Sequence, residues 1–86
     1  MQILYLEEAI RDLEETDPEL RLFFRQHIEK MAEMPPRRHL KFGIPYHVED
    51  VTRQARLIYE IDGETPYIVR CFSSHKDYEK WYASYK

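Results

Sequence analysis

Four side chains in the second half of the chain could together handle a phosphodiester. Arg56 and Arg70 carry guanidinium groups, which bind phosphate through paired hydrogen bonds and neutralise its charge. His47 and His75 carry imidazoles, which exchange protons near neutral pH. Because strand alternation can bring such side chains to one side of a sheet, we expect them to share a site suited to phosphodiester chemistry.

Other common kinds of site lack their motifs. Gly43 and Gly63 are the only glycines in the sequence, and they are too far apart to form a glycine-rich nucleotide loop. Cys71 is the only cysteine, so we predict no internal disulfide and no zinc cluster. No His-x-x-x-His pair or acidic calcium loop occurs. The sequence therefore predicts neither a metal site nor a small-molecule cofactor.

Each candidate also has a structural interpretation that the sequence leaves open. Arg56 and Arg70 could pair with Glu60 and Glu49 across strands instead of binding phosphate. His75 could be a surface residue at the start of a helix. Four aromatic residues near the end of the chain, at offsets 0, 3, 4 and 7, could pack a helix rather than stack on bases. They are Tyr78, Trp81, Tyr82 and Tyr85.

The first half of the chain predicts a short strand and two helices. Residues 2–5 are typical of a strand, and Asp17-Pro18 is a helix start because Asp17 can cap the first turn. Apolar residues at helical spacing define the first helix, at Leu6, Ala9, Ile10 and Leu13. A longer stripe defines the second, which we expect to stop at Pro35-Pro36: Leu20, Phe23, Phe24, His27, Ile28 and Met31.

The second half of the chain changes to the period of strands. Alternation at 46–52 and 55–61, followed by the apolar segment 67–72, predicts three strands, with a hairpin turn at 62–64. An aromatic helix follows the last strand. The order β-α-α-β-β-β-α predicts one α+β domain over residues 1–86, with two N-terminal helices packed on a small, mostly antiparallel sheet and a short C-terminal helix.

Charge is distributed unevenly along the sequence. The net charge is −3, from 13 Lys and Arg against 16 Asp and Glu. Residues 1–34 hold nine acids and four bases, a net of −5, and residues 35–86 hold seven acids and nine bases, a net of +2. This pattern predicts an acidic helical layer and a mildly basic working surface. With 43% hydrophobic residues but no long apolar run, we expect a folded cytoplasmic protein without a signal peptide or membrane span.

The sequence resembles the RelE/ParE toxin superfamily of type II toxin–antitoxin systems. The likeness is carried by Arg-Leu-Ile-Tyr at 56–59, Asp-Gly at 62–63, Val-Arg-Cys-Phe at 69–72 and Ser-Ser-His-Lys-Asp-Tyr at 73–78. The predicted order of elements agrees, so the resemblance spans almost the whole chain. The ending around His75 is most similar to RelE-like members that carry a histidine after the last strand.

The resemblance implies a ribosome-dependent endoribonuclease that acts on messenger RNA. In this family a 2′-hydroxyl attacks the adjacent phosphate in the ribosomal decoding site, without a metal. By the same likeness, Arg56 steadies the phosphate and His75 transfers protons as general acid or base. From its residue type and its place in the last strand, we expect Arg70 to hold the phosphate together with Arg56. Tyr78 or Tyr82 takes the place of the aromatic residue that orients or stacks on the nucleotide.

Further RNA contacts are implied at Lys41, Arg53 and Lys76, which supply positive charge. His47 falls where RelE itself has a strand lysine, and we include it among the RNA-binding residues. Glu49 falls where a second lysine is expected, and this is a departure from the family pattern.

The resemblance leaves two alternatives to the nuclease. The chain could be a ParE-type inhibitor of DNA gyrase, which cleaves nothing, or a catalytically degenerate RelE-fold protein that only binds a partner protein. All three possibilities imply a cognate antitoxin, a protein that wraps the toxin with a helix and folds on contact. The nuclease hypothesis adds the ribosome and messenger RNA as partners.

Overall fold

A computed structural model describes residues 2–33 and 46–84, which form three helices and a four-stranded mixed sheet. In chain order the elements are β1 (Leu4–Tyr5), α1 (Glu7–Glu15), α2 (Pro18–Ala32), β2 (His47–Asp50), β3 (Arg56–Asp62), β4 (Thr65–Phe72) and α3 (His75–Ala83). This order confirms the predicted β-α-α-β-β-β-α arrangement of an α+β fold. The predicted helix stop at Pro35-Pro36 lies outside the described residues.

The sheet has the strand order β1-β4-β3-β2. Strand β3 is antiparallel to both β2 and β4, whereas β1 runs parallel to β4 and pairs with Tyr67 and Ile68. The N–H of Leu6 adds one more hydrogen bond, to the carbonyl of Ile68 at 2.9 Å. Beyond Ile68, the end of β4 continues past β1 and meets α1 instead.

Side chains cover both faces of the sheet. Helices α1 and α2 bury one face in a cluster that includes Ala9, Phe24, Ile28, Leu57, Tyr59 and Ile68. Helix α3 covers the other face, where the cluster consists of Val48, Ile58, Val69, Phe72 and Tyr78. Because Ile58 alternates with Leu57 and Tyr59, Arg56 leaves β3 on the same face as Ile58. Arg56 therefore lies on the face that α3 covers.

The predicted helix stripes face the sheet only in part. Ala9 and Phe24 are fully buried, whereas Leu6, Ile10 and Phe23 are each more than 40% exposed. A helix that lies on a sheet buries the side chains directed at it and leaves the margins of its apolar stripe in solvent. Three residues that helical spacing placed in the stripes are consequently on the surface.

Capping residues fix where α2 and α3 begin. Asp17 caps α2, as predicted, by accepting a hydrogen bond from the N–H of Leu20 at 3.1 Å. Ser74 caps α3 by accepting a hydrogen bond from the N–H of Asp77 at 3.2 Å. His75 is therefore the first residue of α3, and two residues separate it from the end of β4.

Candidate functional site

Arg56 begins β3, and its side chain holds the turn that precedes this strand. Its Nη1 donates to the backbone carbonyls of Thr52 at 3.2 Å, Arg53 at 3.1 Å and Ala55 at 3.0 Å. Its Nε lies 3.1 Å from Oδ1 of Asp50, and only 14% of the Arg56 side chain is exposed. The guanidinium is thus part of the turn as well as a candidate phosphate ligand.

The turn between β2 and β3 has further support from Thr52. Its hydroxyl accepts hydrogen bonds from the N–H of Gln54 at 3.3 Å and from the N–H of Ala55 at 3.0 Å. The N–H of Val51 donates to the carbonyl of Ala55 at 3.0 Å. Arg53 is exposed within this turn, where its charge is accessible to a polyanion.

Arg70 is tied to α1. Its Nε and Nη2 donate to the carboxylate of Asp12 at 2.7 and 3.1 Å, and Oε2 of Glu8 lies 3.7 Å from its Nη1. Its guanidinium carbon is 4.6 Å from the centroid of the Phe72 ring. The hydrogen bond to Asp12 holds the pKa of Arg70 above its ordinary value. Asp12 also accepts from the N–H of Cys71 at 3.0 Å, so its carboxylate closes the edge of β4 that extends past β1.

The acids that contact the two arginines differ from those that strand pairing suggested. They are Asp50 and Asp12 rather than Glu60 and Glu49. Asp50 is the cross-strand partner of Arg56 in the β2–β3 register, and Asp12 reaches the sheet from a helix.

His75 lies on the same face of the sheet as Arg56 and at the same end. Phe72, the cross-strand partner of Arg56, precedes His75 by three positions. Nε2 of His75 is 2.9 Å from Oε1 of Glu79, and 43% of the His75 side chain is exposed. Its Nδ1 is buried and has no hydrogen-bond partner within the described residues. The imidazole can therefore exchange a proton through Nε2, beside a carboxylate that orients it.

The aromatic residues of α3 mainly pack the core. Tyr78 is 9% exposed, and its ring centroid lies 6.2 Å from that of Phe72 and 5.9 Å from that of Tyr82. A buried ring cannot stack on a base without opening the core, which corrects the assignment of Tyr78 to nucleotide positioning. Tyr82 is half-buried and retains its predicted contact with RNA as a proposal.

His47 lies on the opposite face from Arg56. It is 6% exposed, and its ring stacks on that of Tyr59, with centroids 5.2 Å apart and an interplanar angle of 20°. Because Tyr59 belongs to the cluster under α1 and α2, the expectation that His47 and Arg56 share one face is wrong. A buried imidazole in this position is also not available as an RNA contact.

The other predicted RNA-binding residues fall in different parts of the molecule. Lys76 is exposed in the first turn of α3, and Arg53 is exposed next to Arg56 in sequence. Lys41 lies outside the described residues. Exposed cations near the beginning of β3 and of α3 suit a bound polyanion.

A groove of about 520 Å³ runs between α1 and α3 along the end of β4. Asp12 and Glu15 line it from α1, Arg70 lines it from β4, and Lys80 and Trp81 line it from α3. With Asp77, the groove is lined by three acids and two bases, in contrast to the uniformly basic channel that favours RNA.

The described residues contain neither a metal-ligand cluster nor a membrane-spanning helix. Across 2–33 and 46–84, no three His, Cys, Asp or Glu side chains are grouped so that they could hold a metal ion. No helix within this part of the chain has the length and apolar character of a membrane span.

Comparisons with solved structures identify the fold. No protein-family model matches the sequence, and no curated protein matches it. The isolated RelE toxin of E. coli matches with a TM-score of 0.74 and 12% identity, over 92% of this chain and 95% of that one. A chain of the RelB–RelE antitoxin–toxin complex from Methanococcus jannaschii matches with a TM-score of 0.73 and 15% identity, over 91% and 96% of the two chains. The YoeB/ParE toxin from Agrobacterium tumefaciens matches with a TM-score of 0.71 and 16% identity, over 83% of this chain and 95% of that one. The chain has the RelE/ParE toxin fold.

Sequence reasoning missed the acids that contact the arginines of this RelE/ParE-fold chain. Asp50 had a signal, because Asp50 and Arg56 flank a short connection and hairpin register pairs such residues. Asp12 had none, since it is 58 positions from Arg70 and its role depends on where β1 ends. Glu79 had a weak sequence signal, because it follows His75 by four positions in a predicted helix and side chains at that spacing are neighbours.

Proposed function

We propose that this chain is the toxin of a type II toxin–antitoxin system and acts as a ribosome-dependent endoribonuclease on messenger RNA. The observation that carries the proposal is the position of Arg56 and His75, the first residues of β3 and α3, at one end of one sheet face. The RelE/ParE fold supports it. A guanidinium and an imidazole at one end of one face are the groups that a metal-free phosphodiester cleavage requires.

In the proposed reaction, the 2′-hydroxyl of one nucleotide attacks the adjacent phosphorus and the 5′-oxygen of the next nucleotide leaves. Arg56 neutralises the charge that builds on the phosphate oxygens. His75 exchanges a proton with the attacking or the leaving oxygen through Nε2, once this atom leaves its contact with Glu79. The products are a 2′,3′-cyclic phosphate and a 5′-hydroxyl, so that atoms and charge balance without another reactant.

The remaining roles differ from those first expected. Arg70 is assigned to structure, because its Nε and Nη2 are already bonded to Asp12. Arg53, Lys76 and Tyr82 are proposed to contact the RNA on either side of the scissile phosphate.

Translation of a reporter message in vitro tests the reaction. We expect new transcript ends with the wild type and at least about a 100-fold loss of cleavage with His75→Gln, because general acid–base catalysis typically contributes this much. His27→Gln is the matched control, since it makes the same change in α2. Identical cleavage by the wild type and His75→Gln would contradict the role of His75.

A second candidate is a RelE-fold protein that binds a partner and cleaves nothing. It is favoured by the carboxylates that already contact Arg56 and Arg70. The burial of His47 and Tyr78 favours it as well. Intact messages and normal growth on overexpression would support it. Intact messages together with inhibited supercoiling by purified gyrase would instead support a ParE-type activity.

A cognate antitoxin is the proposed protein partner. One of the similar structures is a RelB–RelE antitoxin–toxin complex, and an antitoxin here would be a short, partly disordered chain that folds on contact. Co-expression with the product of the adjacent short reading frame should give a stable complex and restore growth. A neighbour that neither binds nor rescues would contradict this pairing.

A further inference from the structure

The guanidinium of Arg56 has one edge left for a phosphate. An arginine binds an anion through two parallel hydrogen bonds, from either Nη1 and Nη2 or Nε and Nη2. Nη1 is already committed to the carbonyls of Thr52, Arg53 and Ala55. A two-bond contact with phosphate can therefore form only along the edge made by Nε and Nη2.

Asp50 occupies that same edge. Its Oδ1 lies 3.1 Å from Nε of Arg56, and the β2–β3 register places the two residues directly opposite each other. The Asp50 side chain is 55% exposed, against 14% for Arg56. A carboxylate of the chain itself thus stands where an RNA phosphate would need to bind.

The second arginine–aspartate pair provides a contrast. Asp12 accepts two hydrogen bonds from Arg70 and one from the N–H of Cys71, and its side chain is 15% exposed. The Asp50 side chain, by contrast, is 55% exposed, so water can solvate its carboxylate once it leaves the guanidinium. A phosphate that replaces Asp50 keeps the Arg56 charge paired, whereas a phosphate at Arg70 would have to break the three hydrogen bonds of Asp12.

We propose that Asp50 competes with the RNA phosphate for Arg56 and thereby sets the affinity of this chain for RNA. This inference rests on the proposed function for the identity of the ligand. Phosphate binds when the Asp50 carboxylate moves off the edge formed by Nε and Nη2. Removal of the Asp50 charge, with the shape of the side chain retained, therefore strengthens RNA binding.

Binding of a 2′-O-methyl single-stranded RNA tests the competition, because blocking the 2′-hydroxyl prevents cleavage. We expect Asp50→Asn to bind about three- to tenfold more tightly than the wild type, the gain from one charge-assisted contact in a solvated site. The slope of the logarithm of its RNA-binding constant against the logarithm of salt concentration should steepen by about 0.7, as for one further phosphate contact on a single strand. Asp62→Asn, at the exposed end of β3, makes the same change in net charge and should alter affinity by less than about twofold.

Three further measurements test the fold of the variant and the part that Arg56 takes in the competition. Thermal unfolding should give similar midpoints for Asp50→Asn and the wild type. In the wild type, titration with inorganic phosphate should shift the NMR signal of the Arg56 Nε–H. Adding Arg56→Lys to Asp50→Asn should abolish the gain in RNA affinity, because lysine keeps the charge but lacks the two-donor edge.

Equal gains from Asp50→Asn and Asp62→Asn would overturn the competition, since they would reflect net charge alone. Absence of any RNA binding by both the wild type and Asp50→Asn would overturn it as well. If Asp50→Asn binds RNA more tightly than the wild type but messages stay intact, the competition stands and the proposed nuclease activity is overturned. Cleaved messages together with an unchanged RNA affinity of Asp50→Asn would overturn the competition and leave the proposed nuclease standing.

Discussion

Among single residues, Asp12 is the one on which the edge of β4 depends most. Replacing it by Asn should lower the free energy of unfolding by about 2 kcal/mol, because the Arg70 guanidinium and the Cys71 N–H lose a charged acceptor. Glu8→Gln is the matched control. It touches the same guanidinium from 3.7 Å with a 72% exposed side chain and should change stability by less than about 0.5 kcal/mol. Urea unfolding measures both, and equal effects would contradict the importance of the Asp12 network.

The thiol of Cys71 gives a residue-scale prediction on pH. Burial raises its pKa from 9.0 to about 12, so the folded state favours the protonated thiol. Its contribution to stability is complete below pH 9 and is lost as the pH rises from 9 towards 12. We expect the stability difference between the wild type and Cys71→Ala to shrink by on the order of 2 kcal/mol between pH 8 and pH 11. Urea unfolding at the two pH values measures this difference, and a constant difference would show that the thiol ionises normally in the folded state.

In helix α2, two adjacent phenylalanines show that helical spacing alone does not decide which side chains are buried. Phe24 is fully buried and Phe23 is 41% exposed, although both belong to the apolar stripe of α2. Phe24→Ala should cost about 3 to 5 kcal/mol, because it leaves a cavity against the sheet. Phe23→Ala should cost less than about 1 kcal/mol. Chemical unfolding measures both losses of stability. Similar losses would mean that α2 is rotated about its axis so that Phe23 is buried as well.

The elements were predictable from the sequence where local chemistry decides them. Asp17 caps α2 because a carboxylate beside Pro18 satisfies the free N–H groups of the first turn, and this requires no knowledge of the rest of the fold. The faces of the sheet were less predictable. The register between β3 and β4 shifts at Ile58/Tyr59, and such an irregularity changes which side chains share a face. His47 and Arg56 lie on opposite faces for a different reason. His47 pairs with Tyr59, which is three positions along β3 from Arg56, and residues an odd number of positions apart in a strand point to opposite faces. This register depends on how β2 pairs with β3, which neither strand fixes alone.

Over the whole molecule, the acidic charge is densest in the part of the sequence that contains the helical layer. Residues 1–34 carry a net charge of −5, and β1, α1 and α2 lie within this part of the sequence. The candidate site lies on the other face, with Arg53 and Lys76 exposed close in sequence to Arg56 and His75. For the proposed RNA ligand, the acidic helical layer is the unfavourable side of approach, and we expect RNA to bind on the face that α3 covers.

This separation predicts where RNA changes the NMR spectrum. On addition of 2′-O-methyl single-stranded RNA, amide signals of residues 51–56 and 75–82 should shift, and those of α1 should not. Lys76→Gln should weaken binding and flatten the logarithmic salt slope by about 0.7, the share of one phosphate contact. Lys30→Gln, which removes an equally exposed lysine from α2, should leave both unchanged. If the signals of α1 moved instead, or if the two lysine variants behaved alike, RNA would not bind on the α3 face, and neither Arg56 nor His75 could reach the phosphate.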